Sequence, residues 1–356
     1  MARRLHVDAR YRDATADDLG RIVSLAGEAS LLVADIGGTN ARFALAASRN
    51  GRIEVSPPII FQTADYASLE LALSRFLEEA GRPLIGGVAA CAAGPVQGTG
   101  AAAHIAMTNC PWDVTAATLT RVTDIKHPRL MNDFAALALS IPALTGPDLH
   151  AVGPARDAVA GAPVGILGAG TGLGVSTLVF DGGRDIVVAG EGGHVDLAAS
   201  NVREAAVLAH LQSIYGHVSV ERVLSGPGLV ALYTALAALS GEEATPAPSP
   251  VEVAARARAG TCVLAEEAVR LFCGWLGAVA GDLALTVGAR GGIYIGGGIV
   301  PGWLAAGPGL FDEALFRARF EAKGRFDAYL SDIPVFVIRR ADAALLGLAR
   351  AARAPL

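Results

Sequence analysis

Leu31-Leu32-Val33-Ala34-Asp35-Ile36-Gly37-Gly38-Thr39-Asn40-Ala41-Arg42-Phe43-Ala44-Leu45 decides the fold. A short apolar run ends in an aspartate, a two-glycine turn follows, and apolar residues then resume in alternation. The pattern predicts a β-hairpin. Two glycines let a ligand approach the backbone without Cβ interference. Successive amides in such a turn form an anion-binding concavity. Asp35, at the mouth of the strand, suits a hydrated Mg²⁺ beside phosphates. An ordinary Gly-Gly hairpin tip is the plainer alternative.

The 356 residues are 52% apolar and 18% charged, enough for two domains with full cores. Aromatics are only 6%, so the interior must be aliphatic and alanine-rich. Net charge is −5 without a Lys/Arg block, which gives nucleic acid no electrostatic footing. Cys91, Cys110, Cys262 and Cys273 form no C-x-x-C pair and read as reduced, buried thiols, as expected in cytoplasm. Residues 1–30 lack the apolar segment of a signal peptide. The apolar stretch Leu271–Gly281 is expected to be too short to span a bilayer.

Along the chain, 1–30 reads as an extension, with a short helix possible over 16–26. Arg52–Phe61 is predicted as a third strand and Tyr66–Ala80 as an amphipathic helix bearing Leu69, Leu73, Phe76 and Leu77. Leu84–Cys91 is a buried strand, Trp112–Leu119 a helix, and Arg129-Leu130-Met131 a short strand. Phe134–Ile141 is a helix halted before Pro142, and the Pro-, Gly- and Ala-rich 142–163 a linker. Val164–Val175 then repeats the opening hairpin in outline, with strand, Gly168–Gly174 turn and strand. Helices dominate 202–289, Pro246–Pro250 is a loop, Gly291–Gly298 returns to strand and glycine turn, and Ala341–Ala352 is helical.

Three glycine turns end apolar strands, and none fits the P-loop spacing. Gly168–Gly174 leads into strand-like residues, against a dinucleotide fold. Asn132-Asp133, at a strand end, suits either a proton acceptor or a helix N-cap. Glu191-Gly192-Gly193-His194 sets an acid and an imidazole across a flexible pair, able to face one spot. Glu221 precedes a helix start at Ser225-Gly226-Pro227 and is either a site acid or a surface partner of Arg222.

Together these residues resemble the bacterial glucokinases of the hexokinase superfamily. The carriers are ADIGGTNARFAL (34–45), AMTNCPW (106–112), MNDF (131–134), GAGTGLGV (168–175), GEGGHVD (190–196), ERVLSGPGLV (221–230), GGGIVP (296–301) and KGRF (323–326). The resemblance implies an α/β, two-domain actin-like ATPase (ribonuclease H-like) fold with an interdomain cleft. A small α/β domain would span 31–142, with 341–356 packing back on it, and a larger α+β domain 143–340. It implies ATP-dependent phosphorylation of glucose at O6, the first step of glycolysis, by a cytoplasmic enzyme, expected as a homodimer, acting on neither nucleic acid nor membrane. Asp133 would be the general base, and Asn132, Asp133, Glu191, His194 and Glu221 the sugar ligands. ATP would meet Asp35, Gly37, Gly38, Thr39 and Asn40, then Gly170, Thr171 and Gly172, then Gly226, Gly297 and Gly298. Mg²⁺ would sit near Asp35 through water. Gln97–His104 lacks the charged residue frequent in relatives.

Two other readings are less well matched. A kinase of N-acetylated hexosamines, or a sugar-sensing regulator of that kind, would carry a cysteine zinc cluster after His194, where Val195-Asp196-Leu197 stands. A non-catalytic ATPase of the same fold would lack Glu191, His194 and Glu221.

Overall fold

The computed structural model describes residues 29–107, 110–242 and 246–353, together with Asp17, Leu19 and Gly20. Most of the expected N-terminal helix, and Thr108 and Asn109 of the 106–112 motif, lie outside the described residues. The chain divides into one unit of residues 1–145 and 340–356 and a second of 146–339.

In the first unit, β1 (Ser30–Ile36) and β2 (Asn40–Arg49) form the predicted hairpin, with Asp35 opposite Arg42. The expected third strand is two, β3 (Arg52–Val55) and β4 (Ile59–Gln62), both paired to β2. Pro57-Pro58 separates them, since proline cannot donate to a ladder. Helix α1 (Leu69–Glu79) starts three residues later than its periodicity suggests, because the Ser68 hydroxyl caps it by accepting from Leu71 N. β5 (Ile85–Ala92) runs parallel to β1 and is buried on both faces from Val88 onward, as an interior parallel strand must be. β6 (His104–Ile105) and β7 (Val114–Thr115) pair with each other. Residues 112–115 are thus not helical, and α2 (Ala116–Thr123) begins only after its Thr115 cap. β8 (Arg129–Asn132) joins β5 in parallel and leads into α3 (Asp133–Ser140).

The sheet order is β3-β2-β1-β5-β8. On one face Phe43, Phe61, Leu73, Phe76 and Leu119 form a core beneath α1 and α2. On the other, Val33, Ala44, Ala89 and Cys91 meet Ala136 of α3 and Leu345, Leu348 and Ala349 of the C-terminal helix Ala343–Arg353. Gly347 permits that contact, since a Cβ there would overlap the Ala136 carbonyl.

The second unit opens with β9 (Leu149–Ala151), a strand inside the expected linker. β10 (Val164–Ala169) and β11 (Leu173–Asp181) repeat the hairpin, and β12 (Arg184–Gly190) extends it. Helices α4 (Val202–Tyr215), α5 (Gly226–Leu239), α6 (Pro250–Arg258) and α7 (Val263–Val287) follow. Pro250, expected in a loop, is the first residue of α6, behind a Ser249–Glu252 capping box. β13 (Ile293–Gly297), α8 (Ile299–Ala306), α9 (Glu313–Glu321), α10 (Asp327–Ser331) and β14 (Val335–Ile338) complete the unit, and Ala343–Arg353 is α11. The sheet order is β12-β11-β10-β13-β14-β9, with β13 parallel to β10.

Helix α7 corrects the expectation drawn from Leu271–Gly281. Its 25 residues are long and apolar enough to cross a membrane, but 67% of its apolar window is buried inside the fold. Trp275, fully buried, donates its indole N–H to Ala198 O at 2.9 Å. Gly277 and Gly281 lie one turn apart and let the backbone of α9 approach at Phe316 and Phe320.

Candidate active site

In the first unit the candidate residues gather at the carboxyl ends of β1, β5 and β8, where ligands bind in open α/β sheets. Register sets Asp35 opposite Cys91 and Cys91 opposite Met131, with Asn132 and Asp133 next along the chain. The Asp35 carboxylate is held at both oxygens. Arg42 donates to Oδ2 at 3.2 Å and the Cys91 thiol to Oδ1 at 3.6 Å. Burial pushes the Cys91 thiol well above its ordinary value, and the charges of Asp35 and Asp133 push it further. Asn132 is the N-cap of α3, its Oδ1 accepting from Phe134 N at 2.8 Å and Ala135 N at 3.3 Å. Its amide donates to Gly94 O at 3.3 Å. Capping therefore falls to Asn132, while Asp133 is the first helical residue and accepts from Phe134 N at 2.9 Å.

The Gly37–Asn40 turn is tied down through its carbonyls. Gly37 N donates to Asn40 O at 2.9 Å, and Thr63 holds Gly38 O through its hydroxyl and Thr39 O through its amide. Gln62 fixes the Asn40 side chain at 2.7 Å. Among the described residues the Gly38 and Thr39 amides make no hydrogen bond, so two adjacent donors stand ready for an anion.

The second unit repeats this arrangement. In the β10–β11 turn, Gly170 N donates to Gly172 O at 2.8 Å and Gly170 O accepts from Gly226 N at 2.8 Å. The Thr171 and Gly172 amides make no hydrogen bond among the described residues. Gly168 and Gly297 let β10 and β13 approach closely, and Gly298 N bonds Ala169 O at 3.0 Å just before α8. Glu221 is not a surface partner of Arg222, because its Oε2 accepts from Leu173 N at 2.8 Å. Arg222 instead stacks on the Tyr215 ring at 4.5 Å.

Glu191 precedes a short 3₁₀ turn, Gly192–His194, that lies against β11. A Cβ at Gly193 would overlap the Leu173 carbonyl, and one at Gly192 would lie 3.0 Å from Val175. Packing thus requires Gly193 and fits Gly192 tightly against β11. A cavity of about 470 Å³ brings together Thr171, His194, Glu221, Ser225 and Gly228. Glu191 and Gly226 are not among its lining residues.

Four lining residues were not singled out from sequence: Tyr215, His217, Ser219 and Ala231. His217 bonds Asp196 Oδ1 at 2.7 Å. Around that pair Leu197 N meets Val218 O and Val220 N meets Val195 O, stitching the His194 loop to the Glu221 loop. The available signal was Asp196, the last residue of the 190–196 motif.

Two α/β units, each with a glycine-turned hairpin, place the chain in the actin-like ATPase fold, which its structural neighbours among sugar kinases share. The chain matches the glucokinase family over residues 32–355. It is 44% identical over 326 residues to the glucokinase of Chromobacterium violaceum, covering 89% of this chain and 88% of that one. It is 46% identical over 325 residues to that of Aromatoleum aromaticum, covering 90% and 93%. The crystal structure of glucokinase from an Antarctic psychrotroph superposes with a TM-score of 0.80 at 33% identity, over 91% of this chain and 99% of that one. The chain belongs to the glucokinase family, enzymes that phosphorylate glucose with ATP.

Proposed function

We propose that this enzyme transfers the γ-phosphoryl group of ATP to O6 of D-glucose, giving glucose 6-phosphate and ADP, as the first step of glycolysis. The carrying observation is the cavity that Thr171 shares with His194 and Glu221, since sugar-type ligands there adjoin the free amides of the Thr171-Gly172 turn. Glucose is neutral, so discrimination must come from its hydroxyls, and a site with buried acceptors rejects analogues that leave them unpaired. Glu191, Glu221 and His194 supply those partners, together with Asn132 and Asp133 of the first unit. Asp133 takes the O6 proton as O6 attacks the γ-phosphorus and the bond to the β,γ-bridging oxygen breaks. A general base contributes about 10²–10⁴-fold.

The Gly37–Asn40 and Gly170–Gly172 turns receive the phosphates, and Gly226, Gly297 and Gly298 border the adenosine. Both Asp35 oxygens already carry protein donors, which fits a carboxylate that meets a hydrated Mg²⁺ through water. That ion supplies neutralisation of phosphate charge when bound.

A coupled assay across hexoses and nucleotide donors tests the reading. ADP release should require sugar and be fastest with glucose and ATP. Sugar-independent ADP release, or activity confined to N-acetylated hexosamines, would overturn it.

A further inference from the structure

Leu173, the residue that closes the second glycine turn, lies between the two candidate sugar loops. Its N–H donates to Glu221 Oε2 at 2.8 Å, and its carbonyl packs on Gly193, within the Glu191–His194 turn. Gly172 makes room for the first contact, since a Cβ there would overlap the Glu221 carboxylate. Glu221 therefore divides its carboxylate. One oxygen is bound to the backbone of the turn that offers the Thr171 and Gly172 amides, and the other, Oε1, makes no hydrogen bond among the described residues in a side chain that lines the cavity.

We propose that Glu221 is a positioning residue for the second phosphate turn, so that a hexose held at Oε1 sets the turn through Oε2 and tightens nucleotide binding. The inference rests on the reading of Glu221 as a sugar ligand and of 170–172 as a phosphate turn. A hydroxyl donating to Oε1 restrains the carboxylate, and the restrained carboxylate fixes Leu173 N and the two amides before it. Linkage then requires the converse, nucleotide tightening sugar by the same factor.

The test is calorimetric titration of glucose into the full-length protein, with and without Mg²⁺ and the non-hydrolysable analogue AMPPNP. The ratio of the two dissociation constants is the coupling factor, taken within each variant. The wild-type factor is expected at about 10-fold or more. Glu221→Ala loses both contacts, and its factor should fall to within about 2-fold of unity. Gly172→Ala, which displaces the carboxylate from Leu173, should lower the factor likewise. Glu221→Gln keeps an acceptor for Leu173 N. It should weaken glucose about 10-fold, as loss of a charged hydrogen bond does, yet retain the wild-type factor.

A factor unchanged in Glu221→Ala, a wild-type factor near unity, or a factor lost in Glu221→Gln would overturn the coupling while leaving Glu221 a sugar ligand. Unchanged glucose affinity in Glu221→Ala would instead overturn that assignment, and the coupling with it.

Discussion

Asn132 and Asp133 show how neighbouring polar residues divide structural and chemical work. The Asn132 oxygen is committed to the start of α3 and one amide hydrogen to Gly94 O, which leaves its second amide hydrogen for a ligand. Asp133 lies one residue further, near enough to Cys91 for its charge to act on that thiol. Asp133→Asn should lower kcat by about 10²–10⁴-fold while the glucose KM stays within a few-fold. A coupled assay reads both, and near-normal turnover would remove Asp133 as the base. The cysteines offer a separate check. Burial raises the thiol of Cys273 to about 12 and that of Cys91 well above its ordinary value. Both should resist a thiol-directed disulfide reagent at pH 8 in the native enzyme and react once it is unfolded. The unfolded chain releases those protons first as pH rises, so stability should fall above about pH 9. Cys110 and Cys262 are only half-buried, against the expectation for all four, so it is prompt native labelling of Cys91 or Cys273 that would contradict this burial.

Elements with their own internal signal were legible, and those defined by distant partners were not. Both hairpins declare themselves through apolar alternation broken by glycine. Helix α1 shows its core face, while its start depends on Ser68, which periodicity does not report. β9 is three residues long and exists because β14, far along the chain, pairs with it, so composition alone reads as linker. The same holds for the site. Glu221 stood out, but its partner Leu173 N is 48 residues away and is brought to it by folding. The crossing of α7 and α9 belongs to this class, since Gly277 and Gly281 look like interruptions until α9 is seen against them. Gly281→Ala sets a methyl group against the Phe320 carbonyl and 3.1 Å from the Lys323 Cε carbon. Overpacking of that kind costs about 1–3 kcal/mol. In a unit of this size each kcal/mol lowers Tm by about 2–4 °C. Thermal unfolding measures it, and an unchanged Tm would mean the helices yield freely.

At the scale of the whole molecule, the chain builds most of its first unit, makes the second as one continuous segment, and returns to the first with α11. The return is structural, because α11 covers the face of the first sheet that carries Val33, Ala44, Ala89 and Cys91. Cys91 is also the thiol that holds Asp35, so the last helix supports the strand ends where nucleotide is expected. Leu345, Leu346 and Leu348 are each no more than 1% exposed. Burying one such side chain is worth about 1.5–3 kcal/mol, so three approach the 5–15 kcal/mol that holds a typical domain together. Truncation before Ala343 should therefore unfold the first unit while the second, whose core contains no residue of α11, keeps its structure. Hydrogen exchange followed by mass spectrometry separates the outcomes. Amides of 31–46 and 85–92 should lose protection by at least about 100-fold, and those of 164–180 should keep it. Equal loss in both segments would show that the two units unfold as one, and equal retention that α11 is dispensable to the sheet it covers.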